Sequence, residues 1–130
     1  MTSGLENNLR VSYFQYDFAK HGGAVGAISV QGDGIPANAW IMDAKVRVNT
    51  AVVGTNSTVA IMAVGAGDVL AATAEASLTL NALIQGVPDM ATVAHQFVLA
   101  SAINALTFTV AAANLTAGKI TVAVIWCLSA

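Results

Sequence analysis

The chain has 130 residues, a net charge of −2, and 56% hydrophobic against 9% charged residues. Soluble domains average about 45–50% apolar and roughly 25% charged residues, so this sequence is short of the charge needed to clothe its own surface. The five basic residues (Arg10, Lys20, Lys45, Arg47, Lys119) are scattered, which excludes the basic footprint of a nucleic-acid binder, and the single cysteine, Cys127, excludes an internal disulfide framework.

Residues 1–9 are polar and glycine-containing and have neither the basic nor the apolar region of a signal peptide. They read as a flexible N-terminal arm ahead of one domain over 10–130. Alternation starts at RVSYFQYDF (10–18), which sets Val11 and Tyr13 opposite Phe14, Tyr16 and Phe18. AVGAISV (24–30) is the next short candidate. In WIMDAKVRV (40–48), Trp40, Met42, Ala44, Val46 and Val48 share one face, and Asp43, Lys45 and Arg47 the other. TVAIMAV (58–64) offers Val59 and Ile61 against Met62 and Val64, apolar on both sides. VLAATAEASLTLNALI (69–84) is rich in helix formers, and Asp68 is a plausible N-cap. It predicts a short helix or turn from about Asp68 to Ala76, followed by a strand or loop. VAHQFVLA (93–100) and LTFTV (106–110) restore the period of two. KITVAVIW (119–126) closes the series, with Ile120, Val122, Val124 and Trp126 facing one side and Thr121, Ala123, Ile125 and Cys127 the other.

The punctuation agrees. HGG (21–23), GDG (32–34), GTNS (54–57), GAGD (65–68), GVPD (86–89) and NLTAG (114–118) carry turn chemistry. Short strands between such signals predict an all-β, jelly-roll-like antiparallel β-sandwich of seven or eight strands, with at most one short helix. Residues 90–118 carry no Asp, Glu, Lys or Arg, yet His95, Gln96, Asn104 and Asn114 interrupt them. A spanning helix needs about 20 predominantly apolar residues, so this stretch reads as strands and no membrane insertion is expected.

A search for chemistry yields nothing. The carboxylates Glu6, Asp17, Asp33, Asp43, Asp68, Glu75 and Asp89 lie mostly in or beside expected turns, where they serve as caps. His21 and His95 are far apart and lack any metal-ligand spacing, and neither a GxSxG nor a GK[ST] motif is present. Cys127 sits in an apolar strand without a basic neighbour and reads as a small buried thiol. No catalytic, cofactor or metal site is expected, and the chain reads as no enzyme. What remains is surface. Each expected strand can bury one face in the sandwich core, but the second faces of 58–64 and 120–127 stay apolar. Met62, Val64, Ile125 and Trp126 are therefore the candidate oligomer-interface residues. Trp40 and Trp126 are a weaker candidate as a sugar-binding platform.

Four stretches carry a resemblance: YDFAKHGGAVGAISV (16–30), IPANAWI (35–41), GDVLAATAEASL (67–78) and LTFTVAAANLTAGKITVAVIW (106–126). In this order, over most of residues 11–126, the sequence resembles small virion structural proteins of tailed bacteriophages that are similar to capsid decoration or cement proteins. These are generally all-β and often trimeric. His21 departs from the acidic or small turn residue expected in such a pattern. The resemblance implies a non-enzymatic protein, made in the bacterial host cytoplasm, that decorates the outer surface of an icosahedral capsid. It implies a homotrimer bridging subunits of the major capsid protein, with no cofactor, nucleic acid or membrane partner. A tail or head-fibre accessory in host adhesion is the alternative. A cyclic trimer matches a three-fold position, and three weak contacts on one rigid body gain avidity.

Overall fold

Alternating Val, Ile and Phe residues leave this chain one economical solution, two sheets packed face to face, and the computed structural model has that form. It describes residues 10–65, 67–88, 98–99 and 102–128. The strands are β1 (Arg10–Asp17), β2 (Gly26–Ile35), β3 (Ala39–Val53), β4 (Thr58–Met62), β5 (Leu70–Ala74), β6 (Leu83–Gln85), β7 (Val98–Leu99), β8 (Ile103–Ala111) and β9 (Ala117–Leu128). Among the described residues, helix is confined to one turn, α1 (Phe18–His21), and a 3₁₀ turn at Glu75–Ser77. No helix among the described residues is long and apolar enough to cross a membrane.

Neighbouring strands run antiparallel in the order β5-β4-β8-β2-β1-β9-β3-β6, with β7 paired to the start of β3. The pairing is nested: β1 with β9, β2 with β8, β3 with β6, and β4 with β5. A long antiparallel ribbon rolled on itself gives this order, in the antiparallel β-sandwich expected from the sequence. Between β1 and β2 the ladder shrinks to one pair, Phe14 opposite Gly32, and there the ribbon divides into a first sheet (β1, β9, β3, β6) and a second (β2, β8, β4, β5). A Cβ on Gly32 would lie 2.4 Å from the Tyr13 carbonyl oxygen and 2.5 Å from the Phe14 ring, so only glycine allows the crossing. At the opposite margin the Gly86 amide donates to the Ala44 carbonyl at 2.6 Å and the Val87 amide to the Val69 carbonyl at 2.8 Å. These two bonds draw the far edges together, and the sandwich is nearly closed.

The core lies between the sheets. Phe14, Tyr16, Ile41, Val46, Val48, Ile120, Val122 and Val124 of the first sheet meet Val30, Val59, Ile61, Leu106, Phe108 and Val110 of the second. The Tyr16 and Phe108 rings stack across the gap with centroids 5.4 Å apart.

Three expectations need correction. First, Trp40 and Met42 do not share the inward face with Ala44, Val46 and Val48. Ile41 pairs with Trp126 and Asp43 with Ile125, so Met42 is an inserted bulge residue. The bulge reverses the phase: Ala39 and Ile41 turn inward before it, Ala44 after it, and Trp40 faces out. Second, the helix expected over Asp68–Ala76 is strand β5 followed by the 3₁₀ turn. Asp68 caps backwards rather than forwards, accepting the amides of Ala63, Val64 and Gly65 at 2.7–2.9 Å. Pairing of β5 with β4 overrides the helix propensity of its alanines. Third, GDG (32–34) is no turn but an irregular stretch inside β2, where the register shifts between Gln31 and Ile35. The expected arm over 1–9 and His95 lie outside the described residues, and the strand expected over 93–100 overlaps them only at Val98–Leu99.

Candidate functional site

With the inner faces filled, whatever the molecule recognises it meets with its outer faces. The first sheet places Thr121, Ala123, Ile125 and Cys127 of β9 outward, all half-buried. Register sets Val11 opposite Ile125 and Tyr13 opposite Ala123 on one side, and Trp40 opposite Cys127 on the other. Val11 is 45% exposed, Tyr13 55% and Trp40 40%. Together with Ile125 they form an apolar ridge across three adjacent strands, the kind of contiguous patch that marks an association site. Charge borders it: the Lys45 ammonium lies 3.3 Å from the Asp43 carboxylate and also bonds the Gln85 amide oxygen.

Farther along the same strands the face turns polar. Gln15 Nε2 donates to Thr121 Oγ1 at 3.4 Å, and that hydroxyl donates to Asn49 Oδ1 at 2.6 Å. Lys119 pairs with Asp17 at 3.7 Å, while Asp17 also caps α1 by accepting the Ala19 amide at 3.0 Å. Burial, and secondarily the Asp17 charge, raise the Tyr16 phenol above its ordinary pKa. Its hydroxyl donates to the Gly22 carbonyl.

The four interface candidates are dispersed. Ile125 is on the ridge. Its neighbour Trp126 points the other way, 8% exposed in the core. The Trp126 indole donates to Ser12 Oγ at 2.8 Å, and the Ser12 hydroxyl donates in turn to the Gly34 carbonyl at 3.2 Å. That relay satisfies two buried polar groups at once. Met62 and Val64 belong to the second sheet and its β4–β5 turn, with Met62 half-buried and Val64 exposed. β8, β2 and β1 intervene between them and β9. Trp40 and Trp126 lie on opposite faces of the first sheet and form no shared platform. Sequence reasoning missed Trp40 as a ridge residue, since nothing in WIMDAKVRV marks the bulge.

The outer face of the second sheet differs in kind. Its cross-strand rows are Ala27, Thr109 and Ala60, then Ser29, Thr107 and Met62, with Gln31 opposite Ala105. These positions carry no charge and, Met62 and Gln31 aside, only small side chains.

The carboxylates among the described residues have structural partners. Besides Asp17 and Asp68, Asp33 accepts the Tyr13 amide, Asp43 the Ala44 amide, and Glu75 the Asn56 amide, each at 2.8–3.0 Å. No group of three or more metal-ligating side chains converges among the described residues. The arrangement offers surfaces for binding.

No protein-family model matches the sequence, and no curated protein matches it. Solved structures do. A chain in the capsid asymmetric unit of cyanophage Pam1 superposes with a TM-score of 0.58 at 19% identity, covering 93% of this chain and 85% of that one. A chain in the capsid of Ralstonia phage GP4 superposes with a TM-score of 0.60 at 13% identity, covering 93% of this chain and 86% of that one. At such identities the likeness is one of fold.

Proposed function

We propose that the chain is a non-enzymatic structural protein of a tailed-phage virion, which sits on the outer capsid surface as a homotrimer and cements subunits of the major capsid protein. The observation that carries this reading is the fold, shared over 93% of the chain with chains from two phage capsids. The apolar ridge of Val11, Trp40 and Ile125 supports it, because an unaccompanied molecule would leave that ridge in water.

A cyclic trimer is closed by a heterologous contact, in which a patch on one protomer meets a different patch on the next. Two unlike surfaces are therefore required on every chain. The ridge around Ile125 supplies one, and Met62 and Val64 on the other sheet supply the second. Trp126 contributes from beneath, holding β9 flat under Ile125 rather than touching the neighbour. Three copies of a modest coat-binding contact then act together on the shell, each raising the effective concentration of the others.

Light scattering of the purified protein, followed by its addition to undecorated shells, tests the proposal. The expected result is a trimer that binds shells and raises their melting temperature, and an Ile125→Lys variant that is monomeric or insoluble. A wild-type monomer that ignores shells would sink the reading. Removing residues 1–9 is expected to lower shell occupancy while the trimer persists. The alternative, a tail or head-fibre accessory in host adhesion, is favoured if labelled protein is seen by electron microscopy on tails or fibres instead of on the shell.

A further inference from the structure

Beside the ridge, at the polar end of β1, lies a groove of about 320 Å³, at the lower end of the ~300–1,000 Å³ typical of small-ligand clefts. Tyr13, Gln15 and Gln31 line it together with Asp17, Lys20 and His21 at the α1 end. Gln15 of β1 and Gln31 of β2 are the chain neighbours of Phe14 and Gly32, the one pair joining these strands, and both primary amides line the groove. Tyr13 stands one pleat away on the same face of β1, about 7 Å along the strand. Its backbone is pinned by the bond from its amide to Asp33 Oδ2 at 3.0 Å, while the ring remains 55% exposed.

The free valences of the groove are specific. Gln31 has no side-chain hydrogen bond among the described residues, and Gln15 commits only its Nε2, to Thr121. Lys20 has no ion-pair partner among the described residues, whereas Asp17 is engaged by Lys119. An amide both donates and accepts, as a sugar hydroxyl does, and two amides lining one groove suit the several hydroxyls of a sugar. A flat phenol beside them suits the C–H face of a pyranose ring. The cleft is too polar for a lipophilic ligand. Its single unpaired cation is too little for nucleic acid.

We propose that this groove is a saccharide-binding site, in which the Tyr13 ring is the platform, Gln15 and Gln31 hold ring hydroxyls, and Lys20 selects sugars bearing a carboxylate. The ligand class is polysaccharide of a bacterial surface, with uronic-acid units preferred over neutral ones. The site meets the ridge at Tyr13, while Gln15, Gln31 and Lys20 lie outside it, so losing Gln31 or Lys20 leaves shell binding in place.

The test uses the full chain on an array of neutral and uronic-acid-containing bacterial polysaccharides, followed by titration with galacturonic-acid and galactose trimers. Saturable binding is expected, tighter for the acidic glycans, and weakened about tenfold or more by Tyr13→Ala and by Gln31→Ala. Lys20→Ala is expected to abolish the acidic preference while retaining binding. Gln31→Ala should keep the wild-type melting temperature and shell binding, which separates loss of the site from loss of the fold. No signal on any glycan, or wild-type affinity in both Tyr13→Ala and Gln31→Ala, overturns the proposal. Equal wild-type affinity for the two trimers overturns the role of Lys20.

Discussion

On the second sheet the outward rows join Ala27 to Thr109 and Ala60, and Ser29 to Thr107 and Met62; on the first they join Val11 to Ile125 and Asp43, and Trp40 to Cys127. Both sheets bury Val, Ile and Phe in the same core, so what separates them is the side turned away from it. The second sheet tolerates water through small residues and hydroxyls, without a charge in those rows. The first concentrates its large apolar groups in one ridge and its charges around the margin. A chain with 9% charged residues can therefore still confine its sticky surface to a defined place.

That contrast can be broken or sharpened by substitution. The largest loss is expected where the sheets meet, since neither outer face holds the fold together. Trp126→Ala removes an inward indole and the donor to Ser12 Oγ, and should cost about 3–5 kcal/mol in denaturant unfolding. Gly86→Ala comes next, because a Cβ there would lie 2.6 Å from the Val69 carbonyl oxygen and 2.7 Å from that of Ala44. Those atoms are backbone and cannot swing aside, so a loss of about 1–3 kcal/mol is expected, read from the same unfolding curves. The smallest effect belongs to the β2 side of the second sheet's outer face, two strands from Met62 and Val64. Ala27→Lys should change stability by no more than about 0.5 kcal/mol and leave the mass by light scattering unaltered. If Ala27→Lys dissociates the protein as Ile125→Lys is expected to, this side of the second sheet is equivalent to the ridge and the contrast fails.

Much of this was legible in the sequence. The inward sets of β8 (Leu106, Phe108, Val110) and β9 (Ile120, Val122, Val124, Trp126) follow from a period of two, and the structure buries each of them. Period alone cannot register an insertion. Met42 looks like any other strand residue, yet it puts Trp40 on the ridge and Ile41 in the core. Local propensity misled over Leu70–Ala74, where alanines that favour helix are held extended by β4. The saccharide groove was invisible for a different reason. Gln15 and Gln31 are brought together by the crossing at Gly32, and turn residues report where a chain bends, not which strand it will lie against.

The nested pairing has a consequence for how the molecule is made. β1 is the first described strand to leave the ribosome, and its long ladder is with β9, the last; Val11 waits for Ile125 and Tyr16 for Ile120. Until β9 emerges, Phe14 and Tyr16 have no first-sheet neighbour, so the central pair of that sheet forms only once residues 117–128 are clear of the ribosome. Such distant partners make for slow folding, with an unpaired apolar strand held open to chance encounters in the meantime.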